Sequence, residues 1–106
     1  MYKRLEGNKT RTYYKTILDE TISIIEEVVI KTPSPLYENL KRQLLDIKMN
    51  VVNQQIFSDP EEIFERYSFG AIAVKNLDDE DELQARLCDI FWGTVNYHML
   101  SDENIL

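Results

Sequence analysis

The chain is 106 residues long, 43% hydrophobic and 29% charged, with 12 Lys and Arg against 19 Asp and Glu, a formal net charge of −7. This is the length of one ordinary domain, expected to span residues 1–106; it can bury roughly two thirds of its unfolded surface without a disulfide or metal staple and excludes a multi-domain enzyme. The charge is unevenly divided: residues 1–48 carry nine basic and seven acidic side chains, net +2, and residues 49–106 three basic and twelve acidic, net −9, so the second half repels phosphate backbones and is not expected to hold nucleic acid.

With only 3 Gly and 3 Pro, the chain lacks the regular turn signals of a sandwich or barrel, which favours helices. Its first residues are basic: Lys3, Arg4, Lys9, Arg11 and Lys15 face only Glu6, a set read as solvated cations, with contact to phosphate as the alternative. From about Thr10 to Lys31, Tyr14, Ile17, Leu18, Ile22, Ile25, Val28 and Val29 recur at mostly three- and four-residue spacings, one face of a long helix. Ile24 and Ile30 lie off that stripe. The β-branched cluster Val28-Val29-Ile30 leaves a strand over 22–30 as the other reading.

Thr32-Pro33-Ser34-Pro35 ends this helix and opens the next, because a residue before proline is driven out of the helical region, while Ser34 can cap and Pro35 needs no donor at the first helical position. Tyr37, Leu40, Leu44, Ile47 and Val51 then step by three and four, with Leu36, Leu45 and Val52 beside them, the seam of an antiparallel helical hairpin. Ser58-Asp59-Pro60-Glu61 repeats the start signal, with Ser58 and Glu61 at capping-box spacing, and Ile63, Phe64 and Tyr67 are expected to face inward. For Ser68 to Val74 three readings stay open: helix continued with Gly70 at a close contact, a break at Gly70 into a second short helix, or a buried strand.

The acidic run Asp78-Asp79-Glu80-Asp81-Glu82 precedes a last helix bearing Leu83, Leu87, Ile90, Phe91 and Val95, with Tyr97 and His98 near its end. Asp78 or Asp79 is the expected cap, the other carboxylates crowd the first turn, and Ser101 to Leu106 should fray. The resulting expectation is an all-α fold, a single-domain antiparallel helix bundle of four to five helices.

Catalytic chemistry finds little support. Cys88 and His98 are ten residues apart on one helix, off the spacing of three, four or seven that would face them together. Cys88 reads as a buried inert thiol and His98 as a polar residue at a helix C-terminus. The Asp78–Glu82 run lacks the alternating ligands and central glycine of a calcium loop, and no Glu-x-x-His motif, phosphate loop or nucleophile elbow occurs, so no enzyme activity, metal or cofactor is expected. Apolar runs of at most three or four residues fall far short of the ~20 needed for a membrane helix, and the lack of a secretory pattern at residues 1–16 points to a cytoplasmic protein.

What remains is binding. Glu61, Glu62 and Glu65 on the third helix, Asp78, Asp79, Glu80, Asp81 and Glu82 before the last, and the aromatics Tyr67 and Trp92 form the expected partner-binding set: an aromatic ringed by carboxylates anchors a basic partner while the charges steer its approach. Glu61-Glu62-Ile63-Phe64-Glu65-Arg66-Tyr67, Gly70-Ala71-Ile72-Ala73-Val74 and Asp78 to Glu82 leading into Leu83-Gln84-Ala85-Arg86-Leu87-Cys88-Asp89-Ile90-Phe91 resemble the small helical immunity proteins that bacteria make against contact-dependent or colicin-like toxins. That resemblance, over residues 61–91, implies a non-enzymatic protein that binds a cognate toxin, often a nuclease, and blocks its active site. A nuclease site is basic because it holds phosphate, which fits an acidic helical face. The second reading is a helical adaptor or regulatory subunit that pairs with its partner through an apolar groove.

Overall fold

The computed structural model describes residues 2–53, 60–78 and 80–101, and of His98 the backbone alone. Among these residues lie five α-helices and no strand: α1 (Arg11–Lys31), α2 (Pro35–Ile47), α3 (Pro60–Arg66), α4 (Phe69–Asn76) and α5 (Glu82–Val95). The all-α bundle read from the sequence is therefore the fold, and the strand readings for 22–30 and 68–74 fall away.

α1 starts where Thr10, in extended backbone, accepts the Tyr13 N–H on its hydroxyl, satisfying one of the helix's orphan donors. Its predicted stripe is buried from Tyr14 through Ile25; Val28 and Val29 are half-buried and Ile30 is exposed. Ser34 caps α2 by accepting the Leu36 N–H, with Pro35 at the first helical position. Three residues separate the helices, and Lys48 Nζ lies 2.9 Å from Asp19 Oδ1, so α2 runs back along α1 as the hairpin predicts. Leu40, Leu44, Ile47 and Val51 are buried. The α-helix does not reach Val51, however: from Lys48 to Asn53 the backbone widens into a π-helix, which carries Val51 to the core with one looser turn.

Ser58 and Asp59, which open the expected start signal of α3, lie outside the described residues. Between α3 and α4 the chain breaks at Tyr67-Ser68, two residues before the expected Gly70. Gly70 serves the other purpose foreseen for it, since a Cβ there would lie 2.9 Å from Phe91 Cγ, and its absence lets α4 settle onto α5. The cap of α5 is a correction: Asp81, not Asp78 or Asp79, accepts the Leu83 N–H, so Asp78 and Glu80 belong to the preceding turn. After Val95 the chain turns through a short 3-10 segment, Tyr97–Met99, placing the Tyr97 ring 5.2 Å from that of Tyr14 in the core. Ser101, expected to fray, is held instead: its carbonyl accepts the Arg11 N–H and its N–H donates to the Lys9 carbonyl. Residues 102–106 lie outside the described residues.

The basic N-terminal stretch is less solvated than expected. Asp89 on α5, 8% exposed, accepts the Tyr2 hydroxyl at 2.5 Å, the Arg4 guanidinium at 2.9 and 2.8 Å, and the Leu5 N–H at 3.0 Å. Arg11 stacks on Tyr97 and Arg86 on Tyr2. Residues 2–9 are thereby strapped across α5, with Leu5 buried beneath.

Candidate functional site

Two polar anchors fix α3 and α4. Asp46 of α2 accepts from Arg66 Nε at 3.0 Å, Arg66 Nη2 at 3.2 Å and the Tyr67 hydroxyl at 2.7 Å. The Arg66 hydrogen bonds hold the Asp46 carboxyl below its ordinary range against the opposing effect of burial, while burial and the bond to Asp46 push the Tyr67 phenol up. One turn away, Gln43 Oε1 accepts both the Ser68 and Phe69 N–H groups, at 2.8 and 3.0 Å. The N-cap Ser68 makes no capping bond of its own, so a glutamine of α2 caps α4 from outside. Gln43→Leu removes this acceptor, and we expect a stability loss of about 1–2 kcal/mol; hydrogen exchange at Phe69 should rise well beyond that at Leu40, and unchanged exchange at Phe69 would refute the capping role.

Held this way, α3, α4 and α5 enclose a groove of about 690 Å³ lined by Phe64, Gly70, Ala71, Val74, Phe91, Trp92 and their neighbours. The α5 wall comes from Cys88, Phe91, Trp92 and Val95, spaced i, i+3, i+4 and i+7 along one face. An aromatic series supports it: Phe69, fully buried, meets Phe91 edge-on at 5.2 Å, and Phe91 meets Phe64 at 5.1 Å. Phe64 is 62% exposed, Val74 63% and Trp92 44%. Phe64 was expected in the core and is not. Ile63 and Tyr67, four apart, are the buried line of α3, and Phe64 lies about 100° around the helix from Ile63. Lys9 Nζ sits 5.6 Å over the Trp92 ring, a cation–π contact that holds one side of the indole.

Of the expected binding residues, Glu61, Glu62 and Glu65 are exposed on α3 beside Phe64, Asp78 and Glu80 are exposed in the turn before α5, and Trp92 stands in the groove. Asp79 lies outside the described residues. Asp81 and Glu82 are exposed but already employed, the first as the α5 cap, the second with Arg86 at 2.9 Å, which also reaches Glu20 at 3.1 Å. Tyr67 is the exception: 3% exposed, with its hydroxyl spent on Asp46, it cannot present its ring to a partner. Cys88, expected to be buried, is half-buried on the groove wall. Val74 and the outward Phe64 fall outside the expected set; the signal for both is an apolar residue adjacent to, rather than on, a buried stripe.

Among the described residues no three His, Cys, Asp or Glu side chains gather as a metal site, and no helix is long and apolar enough to cross a membrane. The arrangement offers chemistry of contact: an open aromatic groove whose charged lining residue is Lys75, and carboxylates exposed on α3 and in the turn before α5. A family model described as Tsi6 matches residues 13–96, from the first turn of α1 to the end of α5. No curated protein and no solved structure matches the chain.

Proposed function

Since this chain belongs to the Tsi6 family, immunity proteins of type VI secretion, we propose that it neutralises a cognate toxin by binding it and occluding its active site, with no catalytic step of its own. The observation that carries this reading is the extent of the family match, which takes in nearly all of α1 and every helix after it. The surface supports it: exposed carboxylates of α3 and of the α4–α5 turn supply the long-range attraction and the exposed aromatics the short-range contact.

A nuclease is the toxin chemistry that an acidic surface fits best, because a site built for phosphate is basic. This part is separable. If the cognate toxin cleaves no nucleic acid, the nuclease reading fails and immunity does not.

The test of the acidic surface avoids Asp81 and Glu82, whose loss would disturb the α5 cap and Arg86. Combining Glu61→Gln, Glu62→Gln, Glu65→Gln, Asp78→Asn and Glu80→Gln should slow association with the purified toxin about tenfold at low salt while changing dissociation little. The wild-type on-rate should fall with added salt, that of the variant much less. Equal on-rates for the two proteins at low and high ionic strength would remove the electrostatic part of the reading, and failure of the wild-type chain to bind or protect would remove the whole.

A further inference from the structure

We propose that the groove between α4 and α5 seats a short amphipathic helix of the toxin, whose apolar side chains pack on Trp92, Phe91 and Val74 and whose charged residues meet Lys75 and the carboxylates of α3. The identity of the partner rests on the immunity reading; the surface and the chemistry of its occupant rest on the geometry.

Length comes first. α4 lies antiparallel to α5, Gln84 Nε2 donating to the Leu77 carbonyl at one end and Gly70 seating against Phe91 at the other. The open stretch of α5 from Cys88 to Val95 therefore rises about 10 Å, room for about two helical turns and their three or four anchoring side chains. The walls are preformed, because Gly70 and the Phe69–Phe91–Phe64 series fix their separation.

Charge then gives direction. The acidic half holds three basic residues; Arg66 is tied to Asp46 and Arg86 to Glu20 and Glu82. Lys75, on the groove lining beside Cys88, has no carboxylate partner among the described residues. On the α3 side of the groove Glu61 and Glu65 accompany Phe64, whose ring meets Phe91, again exposed and without an ion-pair partner among the described residues. A helix that lies in the groove with a carboxylate toward Lys75 and a basic side chain toward Glu61 and Glu65 satisfies all three.

A second copy of this chain fits less well. Each copy carries −7, and association would add their repulsion; a stable dimer of standard size also needs about 800 Å² from each partner, more than a 10 Å groove supplies.

The purified cognate toxin, identified as the one this chain protects cells against, is the probe, its binding measured by biolayer interferometry against variants whose folding is checked by thermal melts. Phe64→Ala combined with Trp92→Ala should weaken affinity about 30-fold or more, chiefly through faster dissociation. Val74→Glu, on the other wall and exposed, should do the same without removing an aromatic contact. Lys75→Glu should weaken binding about fivefold at low salt and less at high salt. Wild-type affinity in the Phe64/Trp92 and Val74 variants, with the wild-type chain binding tightly, overturns the groove and leaves the immunity reading standing. No binding by the wild-type chain overturns both. A concentration-dependent dimer in sedimentation, abolished by Trp92→Ala, would assign the groove to a second copy and overturn the proposal.

Discussion

Replacing Asp89 with alanine is expected to lower stability by about 3 kcal/mol and the melting temperature by roughly 10–20 °C. The carboxylate gathers four hydrogen bonds from three residues near the other end of the chain. Its loss leaves the Leu5 N–H buried without an acceptor, a cost of about 1–3 kcal/mol alone, and releases Tyr2 and Arg4. Arg4 is half exposed and returns to water at little cost, so the deficit lies mainly with Leu5 and with the packing of its side chain. Burial disfavours the charged form of Asp89, but the bonds from Arg4, Tyr2 and Leu5 outweigh it and hold the carboxyl below its ordinary range. The folded state therefore binds this proton less tightly than the unfolded one. The resulting stability is complete above the unfolded value, near ~3.9, and disappears as pH falls through the lower folded value. Asp46 shifts in the same direction and adds to the same acid limb. In urea titrations from pH 7 down to pH 2, Asp89→Asn should lose less stability than the wild-type chain over the acid range. Parallel acid limbs would contradict the role given to this carboxylate.

Gly93→Ala should cost about 2 kcal/mol although alanine is the better helix former. At position 93 a Cβ would fall 2.7 Å from Tyr14 Cε1 and 3.1 Å from Leu5 Cδ2. Neither neighbour can yield easily. Tyr14 is fully buried; Thr94 gives its own proton to the Ile90 carbonyl at 2.7 Å and so accepts that of the Tyr14 hydroxyl at 2.6 Å. Overpacking of this kind costs about 1–3 kcal/mol, and pushing Leu5 away also strains the strap that Asp89 holds; against it stands a gain of about 1 kcal/mol in helix propensity. Gly7→Ala is the control, since a Cβ there meets nothing within 4 Å. Chemical denaturation should show a clear loss for the first and a change within about 0.5 kcal/mol for the second. If Gly93→Ala matched the control, α5 would not be packed against Tyr14 as described.

Both effects arise where sequence reading stopped short. The punctuation of the helices was legible in part: Ser34-Pro35 and the stripes of α1 and α2 are local signals, and local signals suffice for such caps and buried faces. Asp89 was not legible, because its partners lie 84 to 87 positions away and no spacing rule links a carboxylate to a distant phenol and guanidinium. The N-terminal cations looked solvated for the same reason. At the candidate site, the exposed carboxylates of α3, the open Trp92 and the inward place of Tyr67 beside Ile63 could all be read from helical geometry; that the Tyr67 hydroxyl is spent on Asp46, twenty-one residues away, and so withdrawn from any partner, could not. Phe64 was lost to the core by one step around a helix of seven residues, too short for its pattern to define a face.

The strap over α5 also sets the order in which the fold can close. Tyr2, Arg4 and Leu5 dock on a carboxylate 84 to 87 positions away, so they cannot settle until α5 is in place. The α1–α2 hairpin needs only residues 11–47 and can form long before. Long-range closure of this kind is the slow part of folding, so on refolding from denaturant the hairpin should gain its protection against hydrogen exchange before Leu5 settles beneath the strap.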